Sequence, residues 1–246
     1  VVRRLAQFRD AVEHAHMEAA ADNGIRRANC DGCLKVSGLD LDLPDHQPLV
    51  GNVNLSLLPG DSMLLRGPSG AGKSTLFRAM AGIWPFGRGE IKMPSDARVL
   101  FLPQKPYLPI ATLRDAVTYP MPAERVDDAT VRDALEAVGL PHLTARLAES
   151  GHWALQLSPG EQQRIAFARA LVQKPEWLFL DEATSAVDEP TESRLYRMLR
   201  VRLPGTTIFS VGHRDTLRSF HSRQLVLEPH GHGPASIVEF PVDKAS

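Results

Sequence analysis

The apolar run Met63-Leu64-Leu65 leads into Gly67-Pro68-Ser69-Gly70-Ala71-Gly72-Lys73-Ser74-Thr75, and Leu76-Phe77-Arg78-Ala79-Met80-Ala81 continues at helical spacing. That order predicts a strand, a glycine loop and a helix start. Glycine tolerates positive φ and carries no side chain, so successive N–H groups in such a loop can converge on an anion at the positive end of a helix. Lys73 adds a mobile cation for β and γ phosphates, and Ser74 offers Mg²⁺ a hard oxygen ligand. Gly67, Pro68, Ser69, Gly70, Ala71, Gly72, Lys73, Ser74 and Thr75 are therefore read as the cradle of a nucleoside triphosphate.

Around the loop, strand-like runs occur at Leu34-Lys35-Val36, at residues 53–57 and at Val99-Leu100-Phe101-Leu102, the last ended by Pro103. From 103 to 157 helix patterns dominate. One begins at Leu113; another places Val131, Leu135 and Val138 on one face and stops at Gly139 and Pro141. Afterwards a helix at 160–173, a strand at 177–180, a helix at 191–203 and a strand at 206–211 alternate, with closing strands at 224–228 and 237–240. Such alternation predicts an α/β fold, a mostly parallel sheet covered by helices with ligand loops at the strands' carboxyl ends. The expected organisation is one domain over 30–246, with a helical lobe at 103–157 inserted in it.

Residues 1–29 are read as a helical extension, because Leu5, Phe8, Val12 and Ala15 recur at helical spacing between Arg3, Arg4 and Arg9. Two readings of it stand: a helix docked on the core, or the tail of a preceding membrane domain. With 43% hydrophobic residues and a formal charge of -1 over 246 residues, the chain can bury a core and lacks a basic footprint. Nucleic acid is not expected as a partner. No run approaches the roughly 18 apolar residues of a membrane span, and no signal peptide is evident. A soluble, cytoplasmic chain is expected. Cys30 and Cys33 form a lone CxxC, which could mark a redox pair or half of a zinc site; no second ligand pair follows, neither is expected, and the two are read as inert thiols entering the first strand.

Trp177-Leu178-Phe179-Leu180 ends abruptly in Asp181-Glu182. An apolar strand that delivers two carboxylates to its tip suits phosphate chemistry: Asp181 to hold Mg²⁺, Glu182 to accept a proton from the attacking water or to orient it. Upstream, Ser158-Pro159-Gly160-Glu161 has the form of a capping box with Pro at the first helical position, so a helix starts there and presents its positive end. His213 follows the buried strand at 206–210, which places its imidazole where it can bond a γ-phosphate and hold Glu182.

Taken together, these segments resemble the nucleotide-binding domain of ABC transporters. The likeness is carried by the phosphate loop, Gln104 in Phe101-Leu102-Pro103-Gln104 (Q-loop), Leu157-Ser158-Pro159-Gly160-Glu161-Gln162-Gln163-Arg164 (signature), Asp181-Glu182, Ser185-Ala186-Val187-Asp188 (D-loop) and His213 (switch histidine). It covers nearly all of residues 30–228. It implies a P-loop NTPase core with an antiparallel β subdomain, ATP and Mg²⁺ as ligands, and ATP hydrolysis coupled to transport. It further implies Lys73, Gln104, Glu182 and His213 as catalytic residues and Ser74, Gln104 and Asp181 as metal ligands. The partner is a second copy arranged head to tail, so that Ser158, Gly160, Glu161 and Asp188 face the other copy's nucleotide.

Two departures from the common pattern stand out. Pro159 and Glu161 occupy positions where glycine and glutamine are commonest, so Glu161 either weakens closure on ATP or is occupied as a cap. The usual adenine-stacking aromatic is also replaced by Leu41-Asp42-Leu43-Pro44-Asp45-His46. Gly82-Ile83-Trp84-Pro85, the stretch 101–109, Leu113-Arg114 and Trp153 resemble a narrower group, the peroxisomal fatty acyl transporters and the bacterial relatives that carry cobalamin or antimicrobial peptides; Trp84, Tyr107 and Trp153 could equally be core aromatics. That group fuses a membrane domain ahead of the ATPase, implying a place on the cytoplasmic face of the inner membrane. A soluble ABC-type ATPase of DNA repair or translation, and a stand-alone subunit of a multi-chain transporter, are the alternatives.

Overall fold

The computed structural model describes residues 24–30, 32–231 and 233–241. The helix expected over Leu5, Phe8, Val12 and Ala15 lies outside them. In chain order the elements are β1 (Ile25–Asn29), β2 (Leu34–Asp42), β3 (Pro48–Leu57), β4 (Ser62–Arg66), α1 (Lys73–Ala81), β5 (Gly87–Met93), β6 (Val99–Leu102), β7 (Ala111–Thr112), α2 (Leu113–Thr118), α3 (Asp128–Ala137), β8 (Ser150–Gly151), α4 (Trp153–Gln156), α5 (Pro159–Gln173), β9 (Trp177–Asp181), α6 (Glu189–Arg202), β10 (Thr207–Val211), β11 (Arg223–His230) and β12 (Gly233–Pro241). They form two compact units. The first holds the described residues as far as Leu58 together with Leu65–Asp96 and Arg223–Pro241; the second holds Pro59–Leu64 and Ala97–Ser222.

In the first unit the strands run in the order β1-β5-β2-β3-β12-β11. β2 is antiparallel to both β3 and β5, with Leu34 opposite Leu57 and Val36 opposite Leu55 and Ile91. Leu34, Val36, Leu39 and Leu41 of β2 and Val50, Val53, Leu55 and Leu57 of β3 are all buried. The near-alternate spacing of these residues along both strands is what makes a one-faced sheet. β1 pairs parallel with β5, and β11 with β12 antiparallel. Between β1 and β2 the Cα atoms of Cys30 and Cys33 lie 5.7 Å apart, and the two are joined as a disulfide. Their reading as separate inert thiols is corrected: the Cα spacing lies within disulfide range, and the CxxC spacing alone does not fix that distance.

The second unit carries the parallel sheet expected from the alternation. β9 lies between β6 and β10, parallel to both, with Phe179 opposite Phe101 and Phe209. The rings of Phe101 and Phe179 stack at 4.4 Å. Three of its helices are closed at their starts as follows: Thr112 and Asp115 form a capping box on α2, Asp127 caps α3, and Asp188 caps α6. Val117, Val131, Leu135, Trp153, Ile165, Phe167, Leu195 and Leu199 belong to one core cluster. α5 is buried on nearly every side from Ile165 to Val172, marking it as the central helix of this unit. Emptying Phe167 to alanine would cost about 3–5 kcal/mol. Arg169 on α5 is also buried, donating from Nε and Nη2 to Ala116 O and from Nη2 to Tyr107 O. Desolvation brings its pKa down to about 10.

Candidate active site

The strand-loop-helix at 62–81 forms as its sequence predicts. Met63, Leu64 and Leu65 are buried along β4, and Leu76, Phe77, Ala79 and Met80 are buried along α1. Gly72, the N-cap of α1, sits in the left-handed region at φ 100, and the helix start has no side-chain cap and no acidic residue in its first turn. A Cβ at Gly72 would stand 2.6 Å from Val50 Cγ2, so only glycine fits. Lys73 is buried and its Nζ donates to Gly67 O at 3.0 Å and Pro68 O at 2.8 Å. The ammonium is thus drawn back across the loop by the loop's own carbonyls. The other end of α1 is closed by Gly82, by Ile83 N donating to Arg78 O, and by the Arg27 guanidinium on the carbonyls of Ala79 and Met80.

In the second unit, β9 delivers Asp181 and then Glu182, whose backbone takes φ 49. A glutamate in the left-handed region stores about 1–3 kcal/mol and persists only where its surroundings hold it. The surroundings are specific. Glu182 N donates to Val211 O, His213 Nε2 donates to Glu182 Oε1 at 2.9 Å, and Gln104 Nε2 donates to Glu182 Oε2 at 3.2 Å. The structure therefore brings Gln104, Glu182 and His213 together on one carboxylate.

Sequence reasoning missed the group beneath them. Gln163, 2% exposed, donates from Nε2 to Gln104 O at 2.9 Å and Ser185 Oγ at 3.0 Å, while its Oε1 accepts Ala186 N at 2.8 Å. One amide thereby ties the segments of Gln104 and of Ser185-Ala186 to α5. The signal was present: Gln163 lies one turn before Phe167 on the buried side of α5, where a polar side chain must find partners.

At the start of α5, Ser158 Oγ accepts Glu161 N at 3.3 Å, and Glu161 Oε2 accepts Ser158 N at 2.9 Å and Ser158 Oγ at 2.7 Å. His142 Nε2 approaches Glu161 Oε1 at 3.2 Å. Of the two options open for Glu161, the structure adopts the cap. Burial works to raise its pKa, but the hydrogen bonds from Ser158 and His142 outweigh it and hold the carboxyl below its usual value. Gly160 leaves room for the carbonyl of Ala186, which would lie 3.0 Å from an added Cβ. Asp188 is the N-cap of α6, accepting Thr191 N at 2.8 Å, and the bonds from Thr191 lower its pKa.

Trp84 donates from Nε1 to Asp42 O at 3.0 Å, and Trp153 is fully buried with Nε1 on Ala111 O at 3.1 Å. Tyr107 is exposed and meets Tyr119 edge-on. His46 occupies a left-handed turn position between β2 and β3. Among the described residues, no helix is long and apolar enough to cross a membrane, and no cluster of three or more His, Cys, Asp or Glu could hold a metal ion by itself.

A family profile described as ABC transporter matches residues 50–185. The chain is 46% identical over 240 residues to an uncharacterized ABC transporter ATP-binding protein of Synechocystis sp., covering 94% of this chain and 36% of that protein. It is 40% identical over 210 residues to the human lysosomal cobalamin transporter ABCD4, covering 80% of this chain and 34% of the transporter. The chain thus spans about a third of the length of the curated relatives it matches. Among solved structures, a bacterial Atm1-family ABC exporter with ATP bound is similar at a TM-score of 0.70 and 26% identity, over 87% of this chain and 39% of that one.

Proposed function

The chain belongs to the ABC transporter family, as an ATP-binding domain, and from that premise we propose that it hydrolyses ATP to drive transport, with two copies closing head to tail on two nucleotides. Residues 67–75 cradle the phosphates, and Lys73 leaves the carbonyls of Gly67 and Pro68 for phosphate oxygens. Ser74, Asp181 and Gln104 offer a hydroxyl, a carboxylate and an amide, the hard oxygen donors that suit Mg²⁺ when nucleotide and water complete its shell. When bound, Mg²⁺ neutralises charge on the phosphate oxygens. The start of α5, with Ser158, Gly160 and Glu161, and Asp188 face the nucleotide of the second copy. A membrane domain in the same polypeptide is the coupled partner, with this chain on the cytoplasmic face. What supports that arrangement is family membership and the share of each relative that the chain covers.

The observation that carries the hydrolytic reading is the carboxylate of Glu182, held from two sides by His213 Nε2 and Gln104 Nε2. Glu182 accepts the proton of the attacking water at a carboxylate oxygen. His213 keeps that carboxylate in place, and Gln104 keeps the second oxygen oriented. A general base is worth about 10² to 10⁴ in rate. Glu182→Gln is therefore expected to slow phosphate release by that factor while ATP binding persists. Phosphate release measured over an ATP series decides it, because turnover near the wild-type rate removes Glu182 from the role.

A further inference from the structure

Glu192 on α6 is 2% exposed, yet it is a carboxylate. Burying such a group is unfavourable unless its oxygens are occupied. Here they are: Thr184 Oγ1 donates to Oε1 at 2.6 Å, Thr216 Oγ1 donates to Oε2 at 2.9 Å, and Arg214 Nη1 lies 3.4 Å from Oε1. Arg214 also donates from Nη2 to Val187 O at 2.8 Å and from Nη1 to Thr184 O at 3.5 Å. Three segments therefore meet on one buried charge: the turn after β9, the first turns of α6, and the segment after β10.

The positions of these residues in the chain give the cluster a purpose. Thr184 stands two residues after Glu182, and Arg214 directly follows His213. The clamp thus grips the chain just beyond each member of the Glu182–His213 pair. Glu182 is held in a left-handed conformation that its own backbone resists. Something outside the pair must fix both ends, and the arginine fork across Thr184 O, Val187 O and the Glu192 carboxylate does so with charge-assisted bonds.

We propose that Arg214 and Glu192 are positioning residues, which set the Glu182–His213 distance and the path of residues 184–187 without touching nucleotide. The inference rests on the hydrolytic reading of Glu182. A misplacement of about 1 Å at a reacting group can cost 100-fold in rate. Arg214→Ala in the intact protein is therefore expected to lower kcat by about 10- to 100-fold, with KM for ATP within about twofold because no contact to ATP is lost. Thr216→Val, which removes one hydroxyl from the clamp at nearly constant volume, is expected to lower kcat in the same direction by less.

The decisive measurement is the double variant. If Arg214 acts through the pair, His213→Ala with Arg214→Ala is no slower in single turnover than His213→Ala alone. Hydrogen exchange at the amides of 184–187 should quicken in Arg214→Ala and in Thr216→Val. Arg218→Ala, a surface change that removes only a pairing with Asp215, should leave kcat and exchange unchanged. Multiplying losses in the double variant, a rise in KM matching the fall in kcat, or unaltered kcat in both Arg214→Ala and Thr216→Val would each overturn the proposal. An inactive wild-type protein would instead sink the hydrolytic reading beneath it.

Discussion

The two helix starts that the proposed function assigns to phosphate, those of α1 and α5, are built in opposite ways. Each begins with amide donors that the helix itself cannot satisfy. At α5 the chain supplies the answer: Ser158 and Glu161 cap one another and His142 joins the carboxylate. At α1 it supplies none from a side chain, setting a left-handed glycine where a serine or aspartate would ordinarily stand. A cap is worth about 1 kcal/mol to the fold. On the proposed function, α1 forgoes the stability of a side-chain cap and leaves the end assigned to phosphate open in that sense, whereas α5 would meet its ligand with an end that side chains already cap.

The largest effect expected is at the open end. Gly72→Ala forces a side chain into φ 100, at about 1–2 kcal/mol, and drives its Cβ to 2.6 Å from Val50 Cγ2, at about 1–3 more. A loss near 4 kcal/mol in denaturant unfolding, together with lost ATP binding, is the expected outcome. If the variant unfolds like wild type and binds ATP as tightly, the glycine is not what keeps this end open, and the contrast with α5 fails.

The open end was legible in the sequence and its supports were not. Glycine spacing, Lys73 and Ser74 are local signals, as are the capping box and the two acids at the end of β9. β1 and β5 escaped notice because neither shows an apolar alternation. β1 exposes every residue after Ile25, and β5 begins Gly-Arg-Gly-Glu. Gly89 is there for close approach, since a Cβ would lie 2.5 Å from the carbonyl of Gly38, a contact with β2 that no spacing rule encodes. Gln163, Glu192 and Arg214 were hidden for the same reason: they serve partners distant in sequence. The disulfide between Cys30 and Cys33 depended on how near their Cα atoms come, which the CxxC spacing alone does not fix.

The second unit closes buried polar groups on themselves elsewhere too, and acid tests how far that closure goes. Tyr196 Oη donates to Ser210 Oγ at 3.1 Å, Ser210 Oγ donates to His221 Nε2 at 2.8 Å, and His221 Nδ1 donates to Leu217 O at 2.7 Å. Only a neutral imidazole can accept from Ser210 while donating to Leu217. Burial accordingly drives the His221 pKa down to about 4 and pushes the Tyr196 phenol up. In the unfolded chain this histidine titrates near 6.5. Its contribution is whole above pH 6.5 and declines as pH falls toward 4, by about 3 kcal/mol in all. Chemical denaturation across that window should show the decline, and His221→Gln should flatten it. An equally steep fall in the variant would assign the acid sensitivity to other groups.

The smallest effects separate folding from ligand binding at the closed end. Ser158→Ala removes the oxygen that accepts Glu161 N and should lower stability by about 1 kcal/mol. Glu161→Gln keeps an acceptor for Ser158 N but deletes a negative charge beside the helix start, so it should lower stability by only about 0.3–1 kcal/mol. On the proposed closure the signs divide. A carboxylate that repels phosphate is removed, and half-maximal ATP-driven dimerisation should shift to about two- to fivefold lower ATP, the size of one surface charge acting on a helix end. A shift to higher ATP would mean that Glu161 assists closure through its cap. The occupied end of α5 would then be as much a part of the nucleotide site as the open end of α1.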